Sequence, residues 1–220
     1  MVKHALAYPI VLFCLGVLGA ARASPAAVDV YLVPLESFPE DTAKEIAQAL
    51  SAELKLTVRS TPALGPIDVQ MLPGTRLYDA DDMIEKAQPL LAKLPDRGAA
   101  TYCILLTERD MKSPASEGRF EFSTHDPHYD TTIISVARMR EYIEGRPIIS
   151  AHTMRRLYKM TKRNIGEEHL GWRRSPHAED LMYSRIMSID DLDRIGLEHE
   201  ETARGKPVSG MRSRGPAYAI

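Results

Sequence analysis

Apolar and polar residues along this chain follow two different periods, which predicts a mixture of strands and helices. Strand-like runs occur at 28–33, 101–106 and 131–136, where β-branched and other apolar residues alternate with polar ones or follow one another without a break. A short segment at 57–59 is a candidate second strand, and the alternation at 119–123 is typical of an edge strand. The unbroken apolar run at 101–106 predicts a central strand that is buried on both faces.

Apolar residues at helical spacing predict four helices. The expected helices span Pro39–Leu56, Ala80 to about Leu94, His152 to about Gly166, and Ser188 to about His199. Asp79 is a suitable N-cap for the second helix, and Ser188 with Asp191 forms a Ser-x-x-Asp capping sequence for the last. Strands that alternate with helices in this way predict a small layered domain of the α/β or α+β class.

The N-terminus has the three-part pattern of a secretory signal peptide. Lys3 gives a positive start, an uncharged apolar stretch follows from Ala5 to Ala20, and Ala21-Arg22-Ala23 precedes Ser24 as a small-x-small cleavage site. A membrane anchor is the alternative, but the stretch is shorter than the roughly 20 residues that a span needs. We expect cleavage near Ala23/Ser24, a secreted or periplasmic protein, and no membrane attachment after cleavage.

The division of the chain follows from the same pattern. We expect a signal peptide at 1–23, one domain at 24–200, and a tail at 201–220 that is rich in glycine, proline and basic residues and has no apolar period.

The formal net charge is −2, which excludes the basic excess that nucleic-acid binding requires. Cys14 leaves with the signal peptide, so Cys103 is alone and no internal disulfide is expected. Its apolar surroundings indicate a small buried side chain rather than a reactive thiol.

The order of the elements and several local sequences resemble the archaemetzincins, a branch of the metzincin zinc peptidases. The resemblance rests on the segments 30–35, 76–80, 103–111, 132–139, 156–159 and 181–183. The segments 175–176, 181–183 and 190–195 are also similar to the matrixins. The resemblance implies a metzincin-like domain: a mixed twisted sheet with two long helices packed on it, an active-site-type helix followed by a glycine turn and a Met-turn, and a C-terminal helix.

The chemistry of that family depends on the motif H-E-x-x-H-x-x-G-x-x-H. Two histidines one turn apart on a helix and a third beyond the glycine hold zinc, and the glutamate takes a proton from zinc-bound water. When the motif glycine is placed on Gly171, the ligand positions fall on Asn164, Glu168 and Arg174, and the base position falls on Ile165. None of these residues supplies a histidine ligand or a glutamate base where the reaction needs it.

A second alignment allows one inserted residue in the helix. The first ligand position then becomes Arg163, the base position Asn164 and the second ligand Glu167, so the histidines are missing again. Arg174 would bring a fixed positive charge to the site of a dication in either alignment. We expect Glu168 and Arg174 to form an ion pair with two hydrogen bonds across the vacated site, because a guanidinium can meet a carboxylate in this way.

The resemblance implies further pocket positions around the glycine turn. Trp172 would follow the turn as part of a pocket wall, and Met182, next to Tyr183, would be the Met-turn methionine beneath the metal. Plain core packing is the alternative interpretation of Met182.

Four histidines are weak candidates for metal ligands. His125 and His128 stand in the His/Asp-rich segment 123–130, and His169 and His177 flank the glycine turn. A solvated polar turn explains the first pair equally well, and Glu168 and His169, as neighbours on a helix, point about 100° apart. We therefore expect no cofactor, or zinc if an unrecognised ligand set exists.

These observations predict an exported, non-catalytic domain with a peptidase-like fold that binds a partner. A peptide or protein strand could add to the edge strand near Phe120–Ser123. The alternative is a divergent zinc-dependent metallopeptidase that hydrolyses peptide bonds with a different ligand set.

Overall fold

The computed structural model describes residues 27–200, so the predicted signal peptide at 1–23 and the predicted tail at 201–220 lie outside the described residues. The strands are β1 (Val28–Pro34), β2 (Val58–Ser60), β3 (Tyr78–Asp79), β4 (Arg97–Thr107), β5 (Met111–Lys112), β6 (Ser123–Asp126), β7 (Thr131–Ser135), β8 (Glu141–Ile143) and β9 (Arg146–Ile148). The helices are α1 (Glu40–Leu54), α2 (Ala80–Leu91), α3 (Ala151–Asn164) and α4 (Ile189–Arg194), and a π-helical turn (Ile165–His169) continues α3.

A five-stranded mixed sheet forms the centre of the molecule, with the strand order β2-β1-β4-β7-β6. The first four strands are parallel, and β6 is antiparallel to β7, with His125 opposite Thr132. Every residue of β7 and the second half of β4 are buried, as the unbroken apolar runs predict. The predicted α/β class with a mixed sheet is confirmed.

Helices cover both faces of the sheet. Alternate residues of the central strands, such as Ile104 and Cys103, point to opposite faces and join two separate hydrophobic clusters. One cluster packs beneath α1, α3 and α4, and the other packs beneath α2. Cys103 is buried, and burial raises the pKa of its thiol to about 11, which agrees with the predicted structural role.

Side-chain caps place the helix starts where the sequence predicts them. The Asp79 carboxylate accepts from the N–H groups of the first turn of α2. Ser188 and Asp191 form the reciprocal capping box of α4. Ser150, a cap that the sequence pattern does not single out, accepts from Thr153 N and begins α3.

The predicted edge strand at 119–123 is wrong. The strand on that edge of the sheet is β6, at 123–126, so His125 lies within a strand and only His128 lies in the following turn. Pairing with β7 selects this register, because the turn between the two strands places Asp126 opposite Thr131. Residues 119–122 run beside the sheet without joining a strand.

Two other elements differ from the sequence pattern. The β8–β9 hairpin is not predicted; its turn uses Glu144 and Gly145, both with positive φ, instead of an Asn-Gly pair. Helix α4 ends at Arg194 instead of near His199. The chain beyond it crosses Glu179 so closely that Gly196 N donates to Glu179 O at 2.7 Å.

Within the described part of the chain, no helix has the length and apolar character that crossing a bilayer requires.

Candidate binding cleft at the end of helix α3

A π-helical turn separates α3 from the glycine turn. Leu170 N donates to Ile165 O at 3.0 Å, five residues back, which is the hydrogen bond that defines a π turn. Gly171 then adopts a φ of 72°, a left-handed conformation that suits glycine. A π turn contains one residue more than the corresponding stretch of α-helix, so this geometry matches the alignment with one inserted residue.

Gly166, the second residue of the π turn, has a packing role. The Trp172 ring lies directly against Gly166, where a Cβ atom would come within 2.0 Å of a ring carbon. Trp172 N also donates to Gly166 O at 2.7 Å. The pair therefore fixes the path of the chain from the helix into the glycine turn.

The two alignments place their motif positions differently in the structure. Without the insertion, the base position is Ile165, whose side chain is fully buried in the core beneath α3. With the insertion, Arg163, Asn164 and Arg174 line one cleft, and Glu167 is bound to Arg174. The second alignment therefore brings the four motif positions to one place, and the first does not.

The predicted ion pair between Glu168 and Arg174 is wrong in its acidic partner. Arg174 pairs with Glu167, its Nε donating to Oε1 at 2.6 Å and its Nη2 lying 2.5 Å from Oε2. This is the two-point contact expected of arginine and a carboxylate. The additional residue of the π turn rotates the helix end, so Glu167 faces Arg174 and Glu168 faces the sheet.

Opposing influences act on the charge of Glu167. Burial and the adjacent Glu168 carboxylate raise the pKa of Glu167 to about 7, while His125 acts to lower it. Burial also lowers the pKa of Arg174. The Arg174 guanidinium, in direct contact at 2.5 Å, is the nearest charge and favours the ionised carboxylate, so the pair is ionic near neutral pH.

Glu168 connects the helix end to the edge of the sheet. Its Oε2 lies 3.3 Å from His125 Nε2, and His125 Nδ1 is 3.0 Å from the Thr132 hydroxyl. That hydroxyl is 2.5 Å from the buried Tyr102 hydroxyl. Burial lowers the pKa of His125 and raises that of Tyr102, so both groups are neutral near pH 7. The sequence does not indicate this chain of polar groups, because its members come from three strands and a helix end.

A cleft of about 590 Å³ opens beside the end of α3. We call it the arginine cleft. One wall is the segment 116–123, the floor contains Met160, Arg163 and Asn164, and the other side contains Arg174, Ser184, Ile186 and Met187. The segment Phe120–Ser123, predicted as a partner-binding strand, therefore lies beside the cleft although most of it is not a strand.

The residues expected at the glycine turn and Met-turn do not line the arginine cleft. Trp172 and Met182 are buried in the core cluster beneath α3, whereas Gly171 and Tyr183 are partly exposed. Ser175 N donates to Met182 O at 2.8 Å, and this bond holds the two chain segments beyond the helix together.

The four candidate histidines do not form one cluster, although His125 also contacts the Tyr102 ring, with the centroids 6.1 Å apart. His169 stacks on Tyr102 with the ring centroids 6.2 Å apart, His128 is exposed and contacts Tyr129, and His177 is exposed near Glu200. Among residues 27–200, no group of three His, Cys, Asp or Glu side chains is arranged to hold a metal ion. The donor set at the motif positions does not fit zinc, because two of its four members are guanidiniums, which are cations without a lone pair to donate.

Similar folds are found among solved structures. No protein-family model matches the sequence, and no curated protein matches it significantly. A zinc-dependent peptidase from Methanocorpusculum labreanum has a similar structure, with a TM-score of 0.62 and 20% identity over 80% of this chain and 97% of that one.

Two archaemetzincin crystal structures are similar as well. The Methanopyrus kandleri protein gives a TM-score of 0.60 at 16% identity, over 82% of this chain and 93% of that one. The Archaeoglobus fulgidus protein, complexed with malonate, gives 0.56 at 19% identity, over 80% and 98%. The chain therefore has the fold of the archaemetzincin-like zinc peptidases.

Proposed function

We propose that this chain is an exported, non-catalytic binding protein built on an archaemetzincin-like fold, with a peptide as its ligand. The proposal rests on the side chains that occupy the zinc-motif positions near the end of α3. Arg163 and Arg174 occupy two ligand positions of the zinc motif in the alignment that the π turn supports, and Asn164 occupies the position of the base. Two guanidiniums repel a dication, and an amide does not take a proton from water.

The peptide ligand is inferred from the form of the surface. Among residues 27–200, β6 is the last strand of its sheet and no further strand pairs with its outer side, which is the side to which we assign strand addition by an extended chain. The arginine cleft lies beside it and has the size of sites that hold small organic ligands or a few residues. Export rests on the N-terminal sequence alone, and the N-terminal mass of the natural protein tests it: a chain that begins near Ser24 is expected.

Metal content and peptide cleavage test the loss of catalysis. We expect purified full-length protein to contain far less than one zinc per chain and to leave a library of fluorogenic peptides intact. The matched variants are Glu167→Ala and Glu168→Ala, which remove the only carboxylates of the π turn. One zinc per chain, together with cleavage that a chelator stops and either variant abolishes, would establish the alternative, a divergent zinc peptidase with an unrecognised ligand set.

A further inference from the structure

Arg163 is a buried cation whose charge is not matched by any acidic side chain of the part of the chain that the structure describes. Its side chain is nearly enclosed, with the residue 3% exposed, and its Nη1 donates to Leu181 O at 2.8 Å. Within residues 27–200, its Nη2 has no hydrogen-bond partner and no carboxylate approaches it within ion-pair distance. Burying a charge without a counter-charge is costly, so an unmatched guanidinium is unusual in a core position.

The same helix shows how a buried cation is ordinarily compensated. Arg156 forms a two-point contact with Asp193, its Nε and Nη2 donating at 2.7 and 2.6 Å. Lys162, the residue before Arg163, contacts the Glu53 carboxylate. Lys159, also buried, has carbonyl oxygens instead of a carboxylate, its Nζ donating to Leu192 O and Asp193 O at 3.1 and 3.0 Å. Arg163 differs from these three cations because its Nη2 is buried with no partner among residues 27–200.

Arg163 lies where a ligand could supply the missing charge. It lines the arginine cleft together with Arg174, whose side chain is 46% exposed. The charged residues that line the cleft are three arginines, with Arg119 as the third, and the carboxylates Glu117 and Glu121. Glu167, outside the lining, pairs with Arg174, so Arg163 is the buried arginine of the cleft that has no carboxylate of the described residues in contact. One oxygen of Glu121 already accepts hydrogen bonds from Ser113 N and the Thr124 hydroxyl, which reduces its effect on the cleft.

We propose that the arginine cleft recognises a carboxylate, with Arg174 presenting the N–H groups that Glu167 does not occupy and Arg163 supplying its unmatched positive charge beneath them. A carboxylate fits because guanidiniums bind planar oxyanions through paired hydrogen bonds in a fixed fork. Together with the proposed function, on which this ligand class rests, the geometry defines the ligand as a peptide that places a carboxylate in the cleft. The carboxylate comes from the peptide's C-terminus or from an Asp or Glu side chain.

Two pairs of fluorescein-labelled peptides separate these sources. The first pair is a pentapeptide, Ala-Ala-Ala-Ala-Phe, with a free C-terminal carboxylate or a C-terminal amide. The second pair is the amidated peptide with Glu or Gln at its central position. We expect the carboxylate member of at least one pair to bind about tenfold or more tightly than its neutral partner in fluorescence anisotropy, because hydrogen bonds to charged groups carry that much affinity.

Variants of the full-length chain locate the effect. Arg163→Met should remove the preference for the carboxylate peptide, and Arg174→Gln should reduce it. Arg59→Gln is the matched control, since it removes the same charge from β2, at the opposite edge of the sheet from β6, and should keep the preference. Thermal unfolding checks that the variants fold; removal of an unmatched buried charge should leave the melting temperature of Arg163→Met unchanged or higher.

The outcomes distinguish this inference from the peptide-binding function. Equal binding of both members in each pair, or a preference that survives Arg163→Met, would overturn the carboxylate site and leave peptide binding standing. If no peptide binds, sodium acetate compared with sodium chloride at equal ionic strength decides: an acetate-induced rise in melting temperature that Arg163→Met abolishes would retain the carboxylate site and reject the peptide ligand. No peptide binding and no acetate effect would reject both.

Discussion

The contact between Glu167 and Arg174 is the part of the site that can be measured most directly. The perturbation is a double-mutant cycle with Glu167→Gln and Arg174→Met, which removes each charge separately and then both. Exposed ion pairs contribute roughly 0–1 kcal/mol, and breaking a fully buried pair costs about 3–5 kcal/mol. The two side chains are 24% and 46% exposed, so solvent screens them substantially, whereas the two-point geometry favours the pair. We therefore expect a coupling free energy of about 1 kcal/mol, at the upper end of the surface range.

Urea unfolding followed by tryptophan fluorescence is the suitable assay. The chain has a single tryptophan, Trp172, which is buried between the π turn and the residues beyond Gly171, so its emission reports on this region. The coupling should fall as salt is added, because charges that are partly exposed are screened. Low salt and pH 7 are the reference conditions.

A second cycle with Glu168→Gln and Arg174→Met is the control. Glu168 differs from Glu167 by one position but contacts His125, so the free-energy changes of this cycle should add within about 0.5 kcal/mol. Coupling in the Glu168 cycle and none in the Glu167 cycle would refute the register that the π turn sets and would restore the pairing that the sequence predicts.

Two further predictions concern the surroundings of the cleft. Gly166→Ala should destabilise the protein by about 1–3 kcal/mol in thermal or urea unfolding followed by circular dichroism, because its Cβ would meet the Trp172 ring at 2.0 Å; unchanged stability would show that the ring is free to move aside. The buried contact between His199 Nδ1 and Asp180 Oδ1, at 2.9 Å, predicts acid sensitivity. Burial acts to raise the pKa of Asp180, but hydrogen bonds from Glu200 N, His199 and Met182 N outweigh it and hold that pKa below 3.8. A carboxyl whose folded pKa is depressed stabilises the fold fully above its unfolded value and loses that contribution as the pH falls through the folded pKa. Asp180→Asn should therefore lower the stability at pH 6 and reduce the further loss between pH 6 and pH 3, and identical pH profiles for both proteins would contradict this role.

The sequence by itself determined the layered α/β class, the buried central strands and the capped starts of two helices. These features depend on neighbouring residues, since apolar periodicity and a capping oxygen act within one element. The edge strand was misplaced because 119–123 alternates like a strand, and only pairing with β7 selects Ser123–Asp126. The likeness to archaemetzincins could also be read from short local sequences in the right order, and the structural comparisons confirm that fold.

The arrangement of the site was decided only by the tertiary structure. The sequence allowed two alignments of the zinc motif and gave no basis for choosing between Glu167 and Glu168, because a π turn has no distinct residue pattern of its own. The turn forms here where Trp172 packs on Gly166, and the resulting rotation of one position determines which glutamate meets Arg174. Burial of Arg163 without a carboxylate is likewise a property of its neighbours in space: Leu181 and the walls of the arginine cleft come from segments that lie far from α3 in sequence or beyond the glycine turn.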